Sequence, residues 1–219
     1  MISRIPTWAW VGAWLLAFTA GIVNVVGLLS FEHQAVTHLT GNASLVAAAM
    51  VSGDSSGAIH IALLMGAFVA GAAASGMLIQ DTTLQLGRRY GVALLLVSLL
   101  LVGSVPLLQQ GNGQGLYFAA AACGLQNAMA STYSGAVIRT THLSGMFTDL
   151  GIFLGHAIRG LPVDPRRLRL CVLVITGFIA GGGLGTWVFG RIGYQALLVP
   201  AAITGGVALA YGWYSLGRR

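Results

Sequence analysis

The chain has 219 residues, of which 56% are hydrophobic and 7% are charged, whereas soluble domains carry about a quarter charged residues. This composition, with a mean hydropathy of +0.83, excludes a water-covered globular domain and predicts a single membrane domain over residues 1–219. The net charge of +6 comes from arginines without a basic, aromatic-bearing stripe, so it indicates cytoplasmic loops and not nucleic-acid binding.

Six apolar runs are long enough to cross a bilayer, which takes about 20 residues. Two shorter runs, Gly41–Val51 and Gly145–Ile158, are marginal or too short to span. Because connections between the runs are brief, the sequence predicts an all-α integral membrane protein without a soluble domain. The six long runs are Trp8–Leu29, Ile59–Ile79, Tyr90–Leu108, Leu116–Ser134, Leu170–Val188 and Tyr194–Trp213.

The second half of the chain repeats the first, with repeats predicted over residues 7–110 and 113–216. The hexapeptide Thr37–Asn42 reads against Thr141–Met146, and each copy stands at the start of a short run. Both halves keep the order long run, short run, long run, long run, which indicates a duplication. Three further stretches match: Ala20–Asn24 with Cys123–Asn127, Phe68–Gly71 with Phe178–Gly181, and Ala93–Leu95 with Ala196–Leu198.

The arginines favour short runs that enter and leave the membrane on one side. If these runs are re-entrant, only Arg191 lies outside and both termini are cytoplasmic, which fits the positive-inside rule better than eight full crossings. Three crossings per half then predict two inverted repeats, each with three transmembrane helices plus one short re-entrant or broken helix. The arginines placed inside are Arg4, Arg88, Arg89, Arg139, Arg159, Arg166, Arg167, Arg169, Arg218 and Arg219.

The repeated hexapeptide is rich in residues that start helices, because Thr, Ser, Asn and Gly accommodate unpaired N–H groups. Within lipid, such a start is tolerated only when it is buried in protein or lines water. We therefore predict that two symmetry-related helix starts meet near the midplane and bind a small solute. The alternative is that these residues only allow close helix packing. The predicted site comprises Thr37, His38, Thr40, Gly41, Asn42, Thr141, His142, Ser144 and Gly145.

Two matched pairs of polar residues extend this predicted site. His38 and His142 are expected to contact the solute or respond to protons, or else to be satisfied by neighbouring carbonyl groups. Asn24 and Asn127 lie deep in long apolar runs. They either line a polar pathway or form hydrogen bonds between helices.

Asp149 is the one carboxylate well inside an apolar run, and its counterpart in the first half is Leu45. A buried carboxylate either pairs with a cation or is protonated. Arg139, just before the second hexapeptide, is a candidate partner. The alternative is that Asp149 caps a neighbouring turn.

Small residues recur at every fourth position in two matched runs, which makes a flat helix face for close backbone contact. We expect this face to form a packing seam between the halves. The residues are Ala67, Gly71 and Ser75 in the first half and Gly177, Gly181 and Gly185 in the second.

No catalytic or phosphate-binding motif is present, and no carboxylate or Cys joins the histidines at metal-ligand spacing. We therefore expect no enzyme activity, no cofactor and no metal site. The leading hypothesis is a secondary transporter or channel for a small solute. The alternative is a non-transporting membrane protein that assembles with or regulates a partner. Expected partners are the lipid bilayer, the solute and a further copy of the chain as a homo-oligomer.

Three motifs carry a resemblance to a known family. Thr37–Asn42, Gly124–Ala128 and Arg139–Gly151 resemble the YoaK-like family of bacterial multi-pass membrane proteins, over nearly the whole chain. The resemblance implies a protein of the bacterial inner membrane but no established substrate, cofactor or catalytic residue. Such proteins often have an acid where Asn24 stands here, so proton coupling through that position is in doubt for this chain.

Overall fold

The computed structural model describes residues 6–79, 88–134 and 138–216, and within these ranges every regular element is helical. Arg4, Arg218, Arg219 and the side chain of Arg88, which enter the orientation prediction, lie outside the described residues. A 3-10 segment, Gly193–Leu197, joins the last two helices. The helices are α1 (Thr7–Leu29), α2 (Leu39–Ser52), α3 (Ser55–Leu78), α4 (Arg88–Gln109), α5 (Gln114–Ser134), α6 (Leu143–Ile158), α7 (Pro165–Ile192) and α8 (Leu198–Leu216).

Four helical stretches are long and apolar enough to cross a membrane, which supports the membrane class predicted from composition. The last of them, Pro165–Trp213, covers both α7 and α8. The predicted run Leu116–Ser134 forms α5 but is not among the four. Most of α5 is buried, and its interior carries amides such as Gln126, so a helix that faces protein needs less hydropathy than one that faces lipid.

The two short runs form helices that are shorter than a bilayer is thick. α2 has 14 residues and α6 has 16, which at about 1.5 Å per residue gives roughly 21 and 24 Å. The hydrocarbon core is about 30 Å thick. The prediction of two short helices, one in each half, is therefore confirmed.

Each short helix turns back onto the long helix that follows it. Asp54 caps α3 by accepting a hydrogen bond from the N–H of Gly57 at 3.0 Å, and Asp164 caps α7 through the N–H of Arg166 at 2.9 Å. The bond from Gly57, with a second from the Ser56 hydroxyl, holds the pKa of Asp54 below its usual value. Each aspartate is thus the N-cap residue of the long helix that follows a short helix.

α1 and α7 pack backbone to backbone and run in the same direction. Gly181 lies against the carbonyl oxygen of Phe18, and Gly21 lies against that of Phe178. A side chain at either glycine would collide with backbone, which explains why small residues stand there. The common direction follows from the contacts Trp14–Gly177, Phe18–Gly181 and Ile22–Gly185.

α3 and α5 pack in the same way. Gly71 lies against the carbonyl oxygen of Ala121, and Gly124 lies against that of Phe68. Ser75, one turn beyond Gly71, is fully buried. Because both helix pairs join one half of the chain to the other, the predicted packing seam between the halves is confirmed at these glycines.

The remaining long helices cross in opposite directions. α1 meets α5 at Trp8–Tyr133, where the ring centroids are 5.4 Å apart, and again at Thr19–Gln126. Ser98 of α4 donates a hydrogen bond to the Ala201 carbonyl of α8 at 2.8 Å. The main core is built largely from α1, α3, α4 and α5, with the start of α8.

Candidate functional site

Each short helix begins directly after the histidine of its hexapeptide. His38 and His142 are the N-cap residues, with nearly equal backbone angles (φ −94°, ψ 64° and φ −93°, ψ 56°). Neither imidazole bonds the free N–H groups of its helix, and both residues are exposed. The two helix starts are therefore local copies of one backbone arrangement.

Each imidazole ring covers the glycine three residues later. A Cβ atom on Gly41 would collide with the ring of His38, and one on Gly145 would collide with the ring of His142. The spacing His-x-x-Gly thus places a ring where the first turn of the helix has no side chain. This contact accounts for the paired histidines structurally, while their predicted contact with a solute stays a prediction.

Asn24 ties the first helix start to α1. Its Oδ1 accepts hydrogen bonds from the backbone N–H of Thr37 at 3.0 Å and from the Thr37 hydroxyl at 2.8 Å. The buried Asn42 donates from Nδ2 to the carbonyl oxygen of Ala35 at 3.1 Å. These three polar residues fix the loop before α2. We call Asn24 and Thr37 the first bracket.

The second bracket joins Asn127 to Thr140, and not to the predicted Thr141. The Thr140 hydroxyl lies 3.4 Å from Asn127 Oδ1, and Thr140 is fully buried. In both brackets the threonine follows the asparagine by 13 residues. The second loop has one more residue before its histidine, so matching the hexapeptides alone does not identify Thr140 as the partner of Asn127. Met146 replaces Asn42, so the bond to the loop carbonyl has no counterpart.

Within the described ranges the two short helices do not contact each other, and the predicted meeting of the two helix starts around one solute stays a prediction. α2 packs on α3 and α6 packs on α7, and in the described ranges no residue of α2 contacts α6. The reason is that each short helix folds back onto the long helix after it. Thr40 and Ser144 are exposed, and Thr141 is partly buried. The predicted site residues therefore form two separate groups.

Asp149 pairs with a different cation from the one considered in the sequence. Its carboxylate lies 4.0 Å from the guanidinium of Arg167, at the start of α7, rather than beside Arg139. Asp149 is on α6, which packs on α7. Both side chains are partly exposed, so this pair holds the two helices together weakly.

A buried amide that the sequence pattern did not single out lies where α1 crosses α5. Gln126 donates from Nε2 to the Leu16 carbonyl at 2.7 Å and accepts a hydrogen bond from Thr19 at 3.2 Å. The side chains of Gln126 and Thr19 are almost completely buried. The sequence repeat could have indicated this contact, because Gln126 of the second half corresponds to Val23 of the first half. An amide that replaces an aliphatic residue of a repeat marks a contact special to one half.

A second unpredicted group joins the loop after α1 to the starts of α3 and α5. The His60 ring lies 2.7 Å from the Tyr117 hydroxyl through Nδ1 and 3.7 Å from the Glu32 carboxylate through Nε2. Glu32 stands in a loop, where a solvated carboxylate is the usual expectation, and it is partly buried here. In the repeat His60 corresponds to Leu170, so this group exists at one end of the protein alone within the described residues.

The described residues hold no group of three or more His, Cys, Asp or Glu side chains that could bind a metal ion. The expectation that the protein needs no metal stays a prediction. The two brackets and the Gln126 contact are hydrogen bonds of amide and hydroxyl groups.

Comparison with known proteins places the chain in one family. The profile of the family described as "Protein of unknown function (DUF1275)" matches residues 12–210. No curated protein and no solved structure matches the chain.

Proposed function

The chain belongs to the DUF1275 family, and we propose that it carries a small solute across the bacterial inner membrane as a secondary transporter or channel. In this proposal the two brackets are separate solute stations on either side of the crossing of α1 and α5. The identity of the solute is left open.

We also propose that the two halves are inverted repeats. The helix pairs α1–α7 and α5–α3 support this, because their glycine contacts correspond position by position. Gly21 on Phe178 matches Gly124 on Phe68, and Gly181 on Phe18 matches Gly71 on Ala121. The equivalent helices α1 and α5 run in opposite directions, as an inverted repeat requires.

The observation that carries the transport proposal is the presence of polar side chains within the apolar helices α1 and α5, namely Thr19 and Asn24 in α1 and Gln126 and Asn127 in α5. Asn24 lies beyond Thr19 toward the end of α1, and Asn127 lies beyond Gln126 toward the end of α5. Asn24 and Asn127 are equivalent positions of two antiparallel helices, so the two brackets lie toward opposite ends of the α1–α5 crossing. Polar residues inside membrane helices are costly and mark solute paths.

The experiment is a swelling assay on proteoliposomes, with glycerol, urea and potassium acetate as separate probes. We expect Gln126→Leu and Asn127→Leu to change the flux of at least one probe, because they remove the amides along the path. Thr176→Val is the matched control, since its hydroxyl bonds only within α7 and is exposed. Asp149→Asn and Thr141→Val test the remaining predicted positions.

The second candidate function is a non-transporting protein that assembles with a partner. The hydrogen bonds of the first bracket favour this alternative. Asn24 Oδ1 already accepts two hydrogen bonds from Thr37, so it needs no solute as a partner. Unchanged flux of every probe in folded Gln126→Leu and Asn127→Leu proteins would contradict transport along these polar side chains and support the partner role.

A further inference from the structure

A cavity of about 440 Å³ opens between α1 and α8, with α4 and α5 behind it. Its volume falls within the range of about 300–1,000 Å³ that is typical of ligand sites. The lining is almost entirely apolar, and none of the lining residues is charged. Residues from each wall include Trp8, Gly12, Leu16, Met129, Ile203 and Val207.

The repeat explains why this seam is open. In the sequence repeat, α1 corresponds to α5 and α8 corresponds to α4. A short turn joins α4 to α5, and these two helices pack closely. In the closed seam Gly115 lies against the side chain of Leu108, and a Cβ atom on Gly103 would lie 3.7 Å from the ring of Phe118. A Cβ atom on the corresponding Gly12 or Gly206 would have no neighbouring atom within 4 Å.

The mouth of the cavity is apolar. Trp8, Val11 and Val207 line it and are exposed by 49%, 67% and 42%. α1 and α8 still touch each other at a few positions. A hydrocarbon chain is much thinner than a helix, which is about 10 Å across, so it suits a cavity between two helices that still touch each other.

We propose that an acyl chain of a bilayer phospholipid occupies this cavity and completes the packing of α1 against α8. A polar solute would lose its hydrogen bonds to water there and would meet a surface that is almost entirely apolar. A hydrocarbon chain leaves one apolar environment for another and restores the contacts that the closed seam has. This inference requires the bilayer but not the transport activity.

The test is photolabelling in phosphatidylglycerol vesicles that contain a small fraction of phosphatidylglycerol with a diazirine on one acyl chain. We expect adducts on Leu16, Met129 and Ile203. In Gly12→Leu, whose side chain takes up part of the cavity, labelling of these residues should fall toward the level of the fully buried Leu64. Gly66→Leu is the matched control, because Gly66 also has open space but does not line the cavity.

Gly12→Val is carried alongside, because it fills less of the cavity and should give intermediate labelling if folding is intact by circular dichroism. Adducts restricted to exposed positions outside the cavity, such as Val69, and equal in all variants, would overturn the proposal. A disulfide between two copies of Gly12→Cys, without adducts on Met129, would assign the cavity to a second copy and also overturn it. Flux is measured separately, so either proposal can fail alone.

Discussion

At the scale of single residues, the repeated hexapeptide is explained by one contact between a ring and a glycine. His142 caps α6 without bonding its N–H groups, and its ring occupies the space beside Gly145. The glycine is needed because of its neighbour and not because of an unusual backbone angle. The motif therefore has a packing role in the fold, and its predicted contact with a solute stays a prediction.

The first prediction concerns this contact. Gly145→Ala should displace the His142 ring and destabilise the protein by about 1 kcal/mol, as overpacking does. The further change His142→Ala should remove that cost. Gly151→Ala, on the same helix with open space, should be neutral or stabilising. Unfolding by a denaturing detergent measures these variants, the single variant His142→Ala and the unsubstituted protein, and additive effects of Gly145→Ala and His142→Ala would contradict the contact.

The second prediction compares the two brackets. Thr37→Val removes a hydrogen bond of 2.8 Å and should cost about 1 kcal/mol. Thr140→Val removes a contact of 3.4 Å, longer than a good hydrogen bond, and should cost less. Thr37→Ser keeps the hydroxyl and serves as the control. The same unfolding assay checks the order, and an equal loss in both valine variants would show that the brackets are equivalent.

At the scale of helices, the seams depend on backbone contact at a few glycines. In α7 the Gly181 backbone touches that of α1, while Gly183, two residues later, has open space. The same helix thus contains a position that cannot accept a side chain and one that can.

The third prediction uses this difference. Gly181→Ala should push α1 away from α7 and destabilise the protein by about 2 kcal/mol, in the range of core overpacking. Gly71→Ala should do the same between α3 and α5. Gly183→Ala should be tolerated. Thermal unfolding in detergent distinguishes them, and a Gly181→Ala protein as stable as the Gly183→Ala protein would show that the seam is not tight.

Helix identity was predictable because hydropathy and length decide it. All eight apolar runs of the sequence form helices, and the short ones stay short. The partners of those helices were not predictable, because the pairing of α1 with α7 depends on distant glycines. The site was only partly predictable for the same reason. The sequence indicated Asn24 and Asn127, but one extra loop residue hid Thr140, and Gln126 became notable only when its contact with Thr19 was known.

At the scale of the whole molecule, the arginine distribution predicts which ends face the cytoplasm. Gln110 lies in the turn between α4 and α5, and Arg159 lies just after α6. Both are exposed, and the two native cysteines are buried. If the short helices are re-entrant, these two loops lie on opposite sides of the membrane.

The fourth prediction follows from this placement. A membrane-impermeant maleimide added to intact cells should label Gln110→Cys but not Arg159→Cys, and broken cells should label both. The unsubstituted protein is the control for labelling of Cys123 and Cys171. Labelling of both variants from outside would contradict the predicted orientation.

The contacts of α1 have a consequence for how such a chain could arise. Among the described residues, α1 touches α5, α7, the 3-10 segment and α8, and it touches none of the other helices of its own half. In a protein with a single copy of the repeat, the first helix would have no other helix to pack against. If the halves are inverted repeats, as we propose, an ancestor with one copy would have needed a second copy inserted in the opposite orientation, so both orientations would have had to coexist in the same membrane before the genes fused.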